Sequence, residues 1–274
     1  MHDAAPKPEE LLTIAVKVAR EAADTAHRMR AEGVTGVMTK STDTDVVTAA
    51  DRAVERQVVA ALAELRPGDA VLGEEYGTTA ASARVARTTV RWIVDPIDGT
   101  VNYLYGLPQY AVSLAAEVDG EVVAGVVRNA ATGAEWTATL GGGAYRDGHR
   151  LRGSTETDLG QALVGTGFGY DAARRAHQAT VLAGLLPVVR DIRRYGSAAL
   201  DLCAVAEGRY DAYYEKGLNL WDLAAGGLIA TEAGLVVGGL SGAPAGLDMV
   251  LAAPPALFKA LHDRLVELDA SGGP

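Results

Sequence analysis

A layered α/β or α+β architecture is the fold class that this sequence predicts. Two patterns carry that expectation: apolar stripes of helical period alternate with short runs of β-type residues, and after the Gly141-Gly142-Gly143 turn the alternation becomes regular. A chain of 274 residues that is 49% hydrophobic can also bury a large core, as one extended domain or as two fused halves.

The elements follow in order. From Pro8 to about Glu32, Leu11, Leu12, Ile14, Ala15, Val18, Ala19, Ala22 and Ala26 recur at helical spacing, giving a long amphipathic helix. A polar loop from Gly33 to about Asp45 holds Lys40, and Val46 to Thr48 reads as a short strand. Asp51 opens or enters a second helix to about Leu65, stopped by Pro67-Gly68. Val71-Leu72 is a brief strand ending in Gly73-Glu74-Glu75. Arg91 to Val94 is a buried strand that should end at Pro96, which cannot donate to a ladder. A short helix or turn starts at Gly99. Strands Ala111 to Val118 and Glu121 to Val127 flank the hairpin signal Asp119-Gly120, and a third runs from Ala134 to Leu140. Gly141-Gly142-Gly143 reads as a turn in preference to a phosphate cradle. Beyond it come strand Ala162 to Gly165, helix Ala172 to Leu186, strand Val188 to Ile192, helix Ser197 to Glu207 and strand Tyr210 to Tyr214. Helix Trp221 to Thr231, strands Leu235 to Val237 and Met249 to Ala252, and helix Pro254 to Leu268 complete the chain. A division into halves 1–150 and 151–274, within one compact catalytic unit, is expected near Asp147 to Thr157.

Charge narrows the partners. Lys and Arg total 25 against 35 Asp and Glu, a formal net charge of −10, and no basic block interrupts the acidic surface. Nucleic-acid binding is therefore disfavoured, and a small phosphorylated substrate would be repelled unless bound cations reversed the local potential. No apolar stretch offers the roughly twenty residues of a membrane span. Met1 to Glu10 lacks the positive start and apolar core of a secretory signal, so a cytoplasmic location is expected. Cys203 is the only cysteine, which excludes an intrachain disulfide and a cysteine-based zinc site.

The chemistry concentrates in Trp92-Ile93-Val94-Asp95-Pro96-Ile97-Asp98-Gly99-Thr100. Asp95 lies at a strand end and Asp98 just past the turn, close enough to share a metal ion, and oxygen ligands select Mg²⁺ or Mn²⁺. The Gly-Thr pair that follows offers free backbone donors to a phosphate. Glu74 and Glu75 would reach the same sheet edge if the two strands are neighbours, although an acidic loop pair is more often solvated surface. Asp222, at the start of an apolar helix, suits an N-cap and is equally able to hold a metal.

Gly73-Glu74-Glu75, then Asp95-Pro96-Ile97-Asp98-Gly99-Thr100 with Asn102, then Trp221-Asp222 with Ala225-Gly226, resemble the three signatures of the inositol monophosphatase family. That family belongs to the Mg²⁺-dependent phosphatase superfamily that includes fructose-1,6-bisphosphatase. The likeness extends to Lys40, to Asp45 through Asp51 and to Gly196-Ser197-Ala198-Ala199 through Tyr213-Tyr214-Glu215, and so covers about Leu11 to Leu265. It implies an αβαβα sandwich of the sugar-phosphatase type. It implies that Glu74, Asp95 and the Ile97 carbonyl hold a first Mg²⁺, that Asp95, Asp98 and Asp222 hold a second, and that Glu74 helps with a weaker third. It implies Mn²⁺ as a substitute for Mg²⁺. Gly99 and Thr100 would receive the phosphate, while Thr100 and Asp51 orient and deprotonate the attacking water, Glu74 being counted with them as catalytic. Gly196, Ser197, Ala198 and Glu215, with the free oxygens of Asp98 and Asp222, would contact a polyol's hydroxyls. Lys40 would have a loop role, and Glu75 has none that can be derived.

The same resemblance implies a phosphomonoesterase acting on myo-inositol 1-phosphate, a homodimer and inhibition by Li⁺. Related enzymes take histidinol phosphate, fructose 1,6-bisphosphate, NADP or 3′-phosphoadenosine nucleotides, and the metal motifs do not separate them. A bacterial relative that serves the transcription machinery raises a second possibility, an interaction protein in which catalysis is incidental. Other signals are set aside. Gly165-Thr166-Gly167-Phe168-Gly169-Tyr170 has the wrong spacing for a dinucleotide loop, and His2, His27, His149, His177 and His262 have no ligand spacing. Cys203 reads as a packed core thiol, and Arg193-Arg194 as a structural ion pair at least as readily as a substrate-loop contact.

Overall fold

A computed structural model describes residues 6–79 and 89–274. The chain begins with α1 (Pro8–Glu32), the short pair β1 (Met38–Thr39) and β2 (Val46–Val47), and α2 (Ala49–Leu65). There follow β3 (Ala70–Gly73), β4 (Gly77–Thr79), β5 (Val90–Asp98), α3 (Thr100–Tyr105), β6 (Ala111–Val118), β7 (Glu121–Asn129), β8 (Glu135–Thr139), β9 (Gly143–Arg146) and β10 (His149–Arg150). The remainder is β11 (Leu163–Thr166), α4 (Ala172–Leu185), β12 (Asp191–Arg193), α5 (Ala198–Ala206), β13 (Ala212–Glu215), α6 (Leu220–Glu232), β14 (Val236–Gly238), β15 (Val250–Ala253) and α7 (Pro255–Glu267).

An eight-stranded sheet runs β10-β9-β8-β7-β6-β5-β3-β4, and a five-stranded sheet runs β12-β11-β13-β15-β14. Alternating side chains sort the layers. Trp92 and Val94 of β5 face α1 and α2, whereas Ile93 faces α5 and α6. In the smaller sheet Tyr213 packs toward α5 and α6, and its neighbours Ala212 and Tyr214 pack toward α4 and α7. The sequence of layers is therefore helices, sheet, helices, sheet, helices, the αβαβα sandwich expected from the motifs. Because α5 and α6 are covered on both sides, they are apolar nearly all round, and Leu223 to Ala230 of α6 are all buried. Small residues bring these layers close. A Cβ on Gly125 of β7 would lie 3.0 Å from the Ala225 Cα, and one on Gly226 would lie 3.0 Å from Leu202 Cβ on α5.

Several boundaries differ from the sequence reading. β5 continues through Pro96 to Asp98, because the register with β6 shifts between Asp95 and Asp98 and Pro96 falls in that irregularity. The strand expected over Val188 to Ile192 lies at Asp191–Arg193, after a 3₁₀ turn at Leu186–Val188 that contains Pro187. The short strands β1, β4, β9 and β10 were not expected. At Gly141-Gly142-Gly143 the Gly141 and Gly143 amides donate to the Glu232 carboxylate at the end of α6, at 2.7 and 2.8 Å, so they serve a structural anion. Among the described residues no helix is long and apolar enough to cross a membrane.

The Gly125 contact fixes how closely α6 lies on the large sheet. Gly125→Val is expected to lower stability by about 1–3 kcal/mol through overpacking. Urea denaturation checks it, and an unchanged midpoint would show that α6 can move away freely.

Candidate active site

Asp95 and Asp98 are three residues apart, and in a regular strand that spacing would send them to opposite faces. The irregularity in β5 changes this: Asp95 pairs with Ser113 and Asp98 with Ala111, so three steps on β5 match two on β6. The extra residue brings both carboxylates to the face covered by α5 and α6. Asp222 comes from the first turn of α6, and one carboxylate oxygen from each of Asp95, Asp98 and Asp222 lies within 4.8 Å of the others.

Each carboxylate is held by backbone. Asp95 Oδ1 accepts from the Ile97 amide at 3.0 Å. Asp98 Oδ2 accepts from Ser197 Oγ at 2.5 Å and from the Ala199 amide at 2.8 Å, both at the start of α5. Asp222 Oδ2 accepts from the Asn219 amide at 2.6 Å. Asn219 is the N-cap of α6 and Asp222 its third residue, so the expected N-cap role for Asp222 is corrected: it closes a capping box from inside the helix. One oxygen of each acid is thus fixed.

Asp51 is wholly buried, the third residue of α2, and its Oδ2 accepts from the Thr48 amide at 2.8 Å. Its Oδ1 faces the Thr100 hydroxyl at 3.1 Å. Thr100 Oγ1 is also 3.1 Å from the Ile97 carbonyl, and its single proton serves only one of the two. Gly99 caps α3 with φ 93°, where a Cβ would meet the Gln109 carbonyl at 2.8 Å, so this turn requires glycine.

These groups open on a cleft of about 430 Å³. Lys40, Glu74, Asp95, Ile97, Asp98, Gly99, Thr100, Gly196, Ala198, Glu215 and Asp222 all line it, as the sequence suggested. Asp51 and Ser197 do not. Asp51 stands behind Thr100, and Ser197 is buried, its hydroxyl committed to Asp98. Lys40 donates to Glu74 at 2.9 Å and also to Glu75, which gives Glu75 the contact that sequence reasoning lacked. The rejected segment at the end of β11 proves to be a wall of the cleft: Phe168, Gly169 and Tyr170 line it together with Arg174 and Lys216. The arginine pair divides. Arg193 bonds Asp191 at 2.5 Å, whereas Arg194 lines the cleft with its guanidinium 5.9 Å from the Phe168 ring centre. Glycines at alternate positions 165, 167 and 169 were the available signal, since the Glu215 carboxylate occupies the space a Cβ on Gly167 would need.

The cluster is under electrostatic load. Burial, then the charges of Glu74, Asp98 and Asp222, push Asp95 well above the ordinary carboxylate range. Burial and the charges of Asp98 and Glu74 do the same to Asp222. Asp98 is raised by burial, against the donors Ser197, Ala199 and Ala198. Glu74 is pushed up to about 7 by burial, which Lys40 opposes. Desolvation would lower Lys40, yet Glu74 and Glu75 together raise it. Burial likewise lifts Glu215 to about 7, against the Tyr213 hydroxyl and Arg194. Among the described residues no cation pairs with Asp95, Asp98 or Asp222. A compact donor set made only of carboxylate oxygens, with one oxygen of each acid anchored, fits a hard divalent cation. It does not fit zinc, since no His or Cys joins the cluster. Cys203 is buried with its thiol raised by burial, as a core thiol should be.

An αβαβα sandwich whose buried carboxylates gather beside a hydroxyl–carboxylate pair defines a metal-dependent phosphatase. The chain belongs to the inositol monophosphatase family: the family model described as "Inositol monophosphatase family" matches residues 7–268. It is 49% identical to the inositol-1-monophosphatase of Mycobacterium leprae, over 93% of this chain and 92% of that protein. It is 39% identical to a protein named Nus factor SuhB of Pseudomonas aeruginosa, over 92% and 94%. The solved structure of Mycobacterium tuberculosis SuhB superposes with a TM-score of 0.82 at 44% identity, covering 98% of this chain and 100% of that one.

Raised carboxylate pKa values carry a definite sign. Between pH 5 and 7 the folded, metal-free protein holds protons that the unfolded chain has released, so its stability falls as pH rises through that window. A divalent cation replaces those protons and should bind more tightly at higher pH. In chelator, the melting temperature is expected to drop from pH 5.5 to 7.5, and Mg²⁺ should raise it by roughly 5 °C at pH 7.5 and by less at pH 5.5. A pH-independent Mg²⁺ shift would refute the coupling.

Proposed function

We propose that the protein hydrolyses myo-inositol 1-phosphate to myo-inositol and phosphate, with Mg²⁺ as the cation and Mn²⁺ as a substitute. The observation that carries this reading is the gathering of Asp95, Asp98 and Asp222 in one cleft with Glu74 and with Thr100, behind which Asp51 accepts. In this reading Glu74, Asp95 and the Ile97 carbonyl hold one ion, Asp95, Asp98 and Asp222 a second, and Glu74 contributes to a third. The cations, when bound, supply Lewis acidity toward the phosphate, neutralise its charge and acidify water.

The chain's own groups do the rest. Gly99 and the Thr100 amide receive a phosphate oxygen at a turn that only glycine fits, packed as it is against the Gln109 and Gly196 carbonyls. Thr100 Oγ1 orients the attacking water and relays its proton to Asp51, whose burial raises its pKa and makes it the better acceptor. Arg194, on the wall of a cleft that also holds the acidic cluster, draws an anionic substrate in. Glu215, the backbone at Gly196 and Ala198, and the unanchored oxygens of Asp98 and Asp222 accept hydrogen bonds from vicinal hydroxyls. Ser197 acts through Asp98.

Halves 1–150 and 151–274 work as one unit in this account, since α5 and α6 pack against both sheets. We also infer a cytoplasmic homodimer that is inhibited by Li⁺. The exposed Tyr105, Leu107 and Tyr195, on segments tied together by Asn102, support a face that a second copy covers. The Nus factor name of a relative supports a second reading, an interaction with the transcription machinery. Retention of RNA polymerase on the immobilised protein tests it, and no retention would remove it.

Phosphate release in Mg²⁺ from inositol 1-phosphate, histidinol phosphate, fructose 1,6-bisphosphate, NADP and a 3′-phosphoadenosine nucleotide tests the substrate. Inositol 1-phosphate is expected to give the highest kcat/KM, and faster turnover of another would sink the assignment. Asp95→Asn should abolish turnover with an unchanged circular dichroism spectrum. Thr100→Ala should lower kcat by about 10²-fold, and wild-type kcat in that variant would remove the proton relay.

A further inference from the structure

The segment Gly73 to Tyr76, which carries Glu74, has an anchor outside the cleft. Glu55 lies on α2 one turn beyond Asp51, on the buried face of that helix, and is 1% exposed. Its two oxygens accept from consecutive backbone amides, Oε2 from Glu75 at 2.7 Å and Oε1 from Tyr76 at 3.0 Å. The contact is close enough that Gly73 must lack a side chain, because a Cβ there would fall on the Glu55 carboxylate. Among the described residues Glu55 forms no ion pair. A buried carboxylate with both oxygens committed to two adjacent amides is a costly arrangement unless the loop it grips has to be held in one place.

We infer that Glu55 is a positioning residue: it clamps the Glu75 and Tyr76 amides and so fixes where the Glu74 carboxylate enters the cation site. The inference deepens the metal-dependent reading given above and rests on it. Asp51 and Glu55, four residues apart, make α2 a common reference for both sides of the reaction. Asp51 is set against Thr100, and Glu55 sets the loop that brings Glu74 toward Asp95. Lys40 bonds both Glu74 and Glu75, so displacement of this loop would disturb that bridge as well.

Glu55→Gln separates positioning from folding. The amide has the same volume, but it offers one oxygen and turns an NH₂ group toward the second amide, donor against donor. Its Mg²⁺ half-saturation is expected to rise about ten- to a hundred-fold, as when a partner of a metal ligand is lost. At saturating Mg²⁺ its kcat should stay within about three-fold of wild type, because the reacting groups are untouched. Leu62→Ala, in the core on the same helix, should cost stability and leave the Mg²⁺ half-saturation where it was. In chelated protein, hydrogen exchange at the Glu75 and Tyr76 amides should be at least about ten-fold faster in Glu55→Gln than in wild type. A wild-type Mg²⁺ titration for Glu55→Gln, an equal shift in Leu62→Ala, or unchanged exchange at those amides would each overturn the inference. Wild-type protein that ignores Mg²⁺ would overturn the metal assignment instead, and the exchange experiment would still decide the clamp.

Discussion

Repulsion among buried carboxylates is the constraint on which the rest of the molecule depends. At an effective dielectric of about 20, two unit charges 4 Å apart repel by about 4 kcal/mol, and Asp95, Asp98 and Asp222 each present an oxygen within 4.8 Å of the others. A fold tolerates this only if each acid is gripped by donors and if something positive, proton or cation, enters among them. The first condition is met from three different places: the Ile97 amide in the β5 irregularity, the Ser197 to Ala199 turn and the Asn219 cap. The second gives the carboxylates their raised proton affinity, so a proton and a divalent cation compete for the same oxygens.

Those donors explain the position of the middle layer. α5 and α6 begin beside the cluster, so their first amides and the positive ends of their dipoles meet the carboxylates. A helix can bring its N-terminus there only if its whole length is buried between the sheets, which accounts for the small and apolar residues of both. Gly125 against Ala225 and Gly226 against Leu202 are consequences of that packing. Ser113 adds a direct tie, donating from β6 to the Trp221 carbonyl at 3.2 Å, one residue before Asp222. Packing of the core and geometry of the site are therefore one problem.

The long elements were legible because their periodicity is strong: α1, α2, β6, α4 and α7 lie within a residue or two of where the apolar pattern puts them. Pro96 misled because the rule that proline ends a strand has an exception at bulges, and a bulge leaves no periodic trace. The strands β1, β4 and β10 are Met-Thr, Gly-Thr-Thr and His-Arg, and they lack the apolar run that marks equally short strands such as β2 and β3. The carboxylates were legible from motifs together with strand-end logic, since the bulge that brings Asp95 and Asp98 to one face lies inside the motif itself. Partners supplied across the fold were not. For Arg193-Arg194 an ion pair and a substrate-loop contact are both open in the sequence, and nothing local tells which arginine takes which role. Phe168 to Tyr170 match no local ligand-binding pattern, for they reach the cleft only through where β11 ends.

The division between what was and was not legible follows the chemistry. In the proposed reading the phosphate end of the cleft is built from groups that every hydrolysis of this type needs, so residue type and order suffice to find it. In the same reading the other end meets the alcohol. It is assembled from the end of β11, the turn before α5 and the end of β13, three segments that meet only because β11 lies parallel to β13 and the α5 turn reaches across to Asp98. A change there alters shape and charge without touching any acid of the cluster. Glu215 illustrates it: its carboxylate rests against Gly167, accepts from Tyr213 and feels Arg194, so each of three neighbours can retune it. In the proposed reading, selectivity for the alcohol is free to change while the hydrolytic end stays the same, because Gly167, Tyr213 and Arg194 lie outside the acidic cluster.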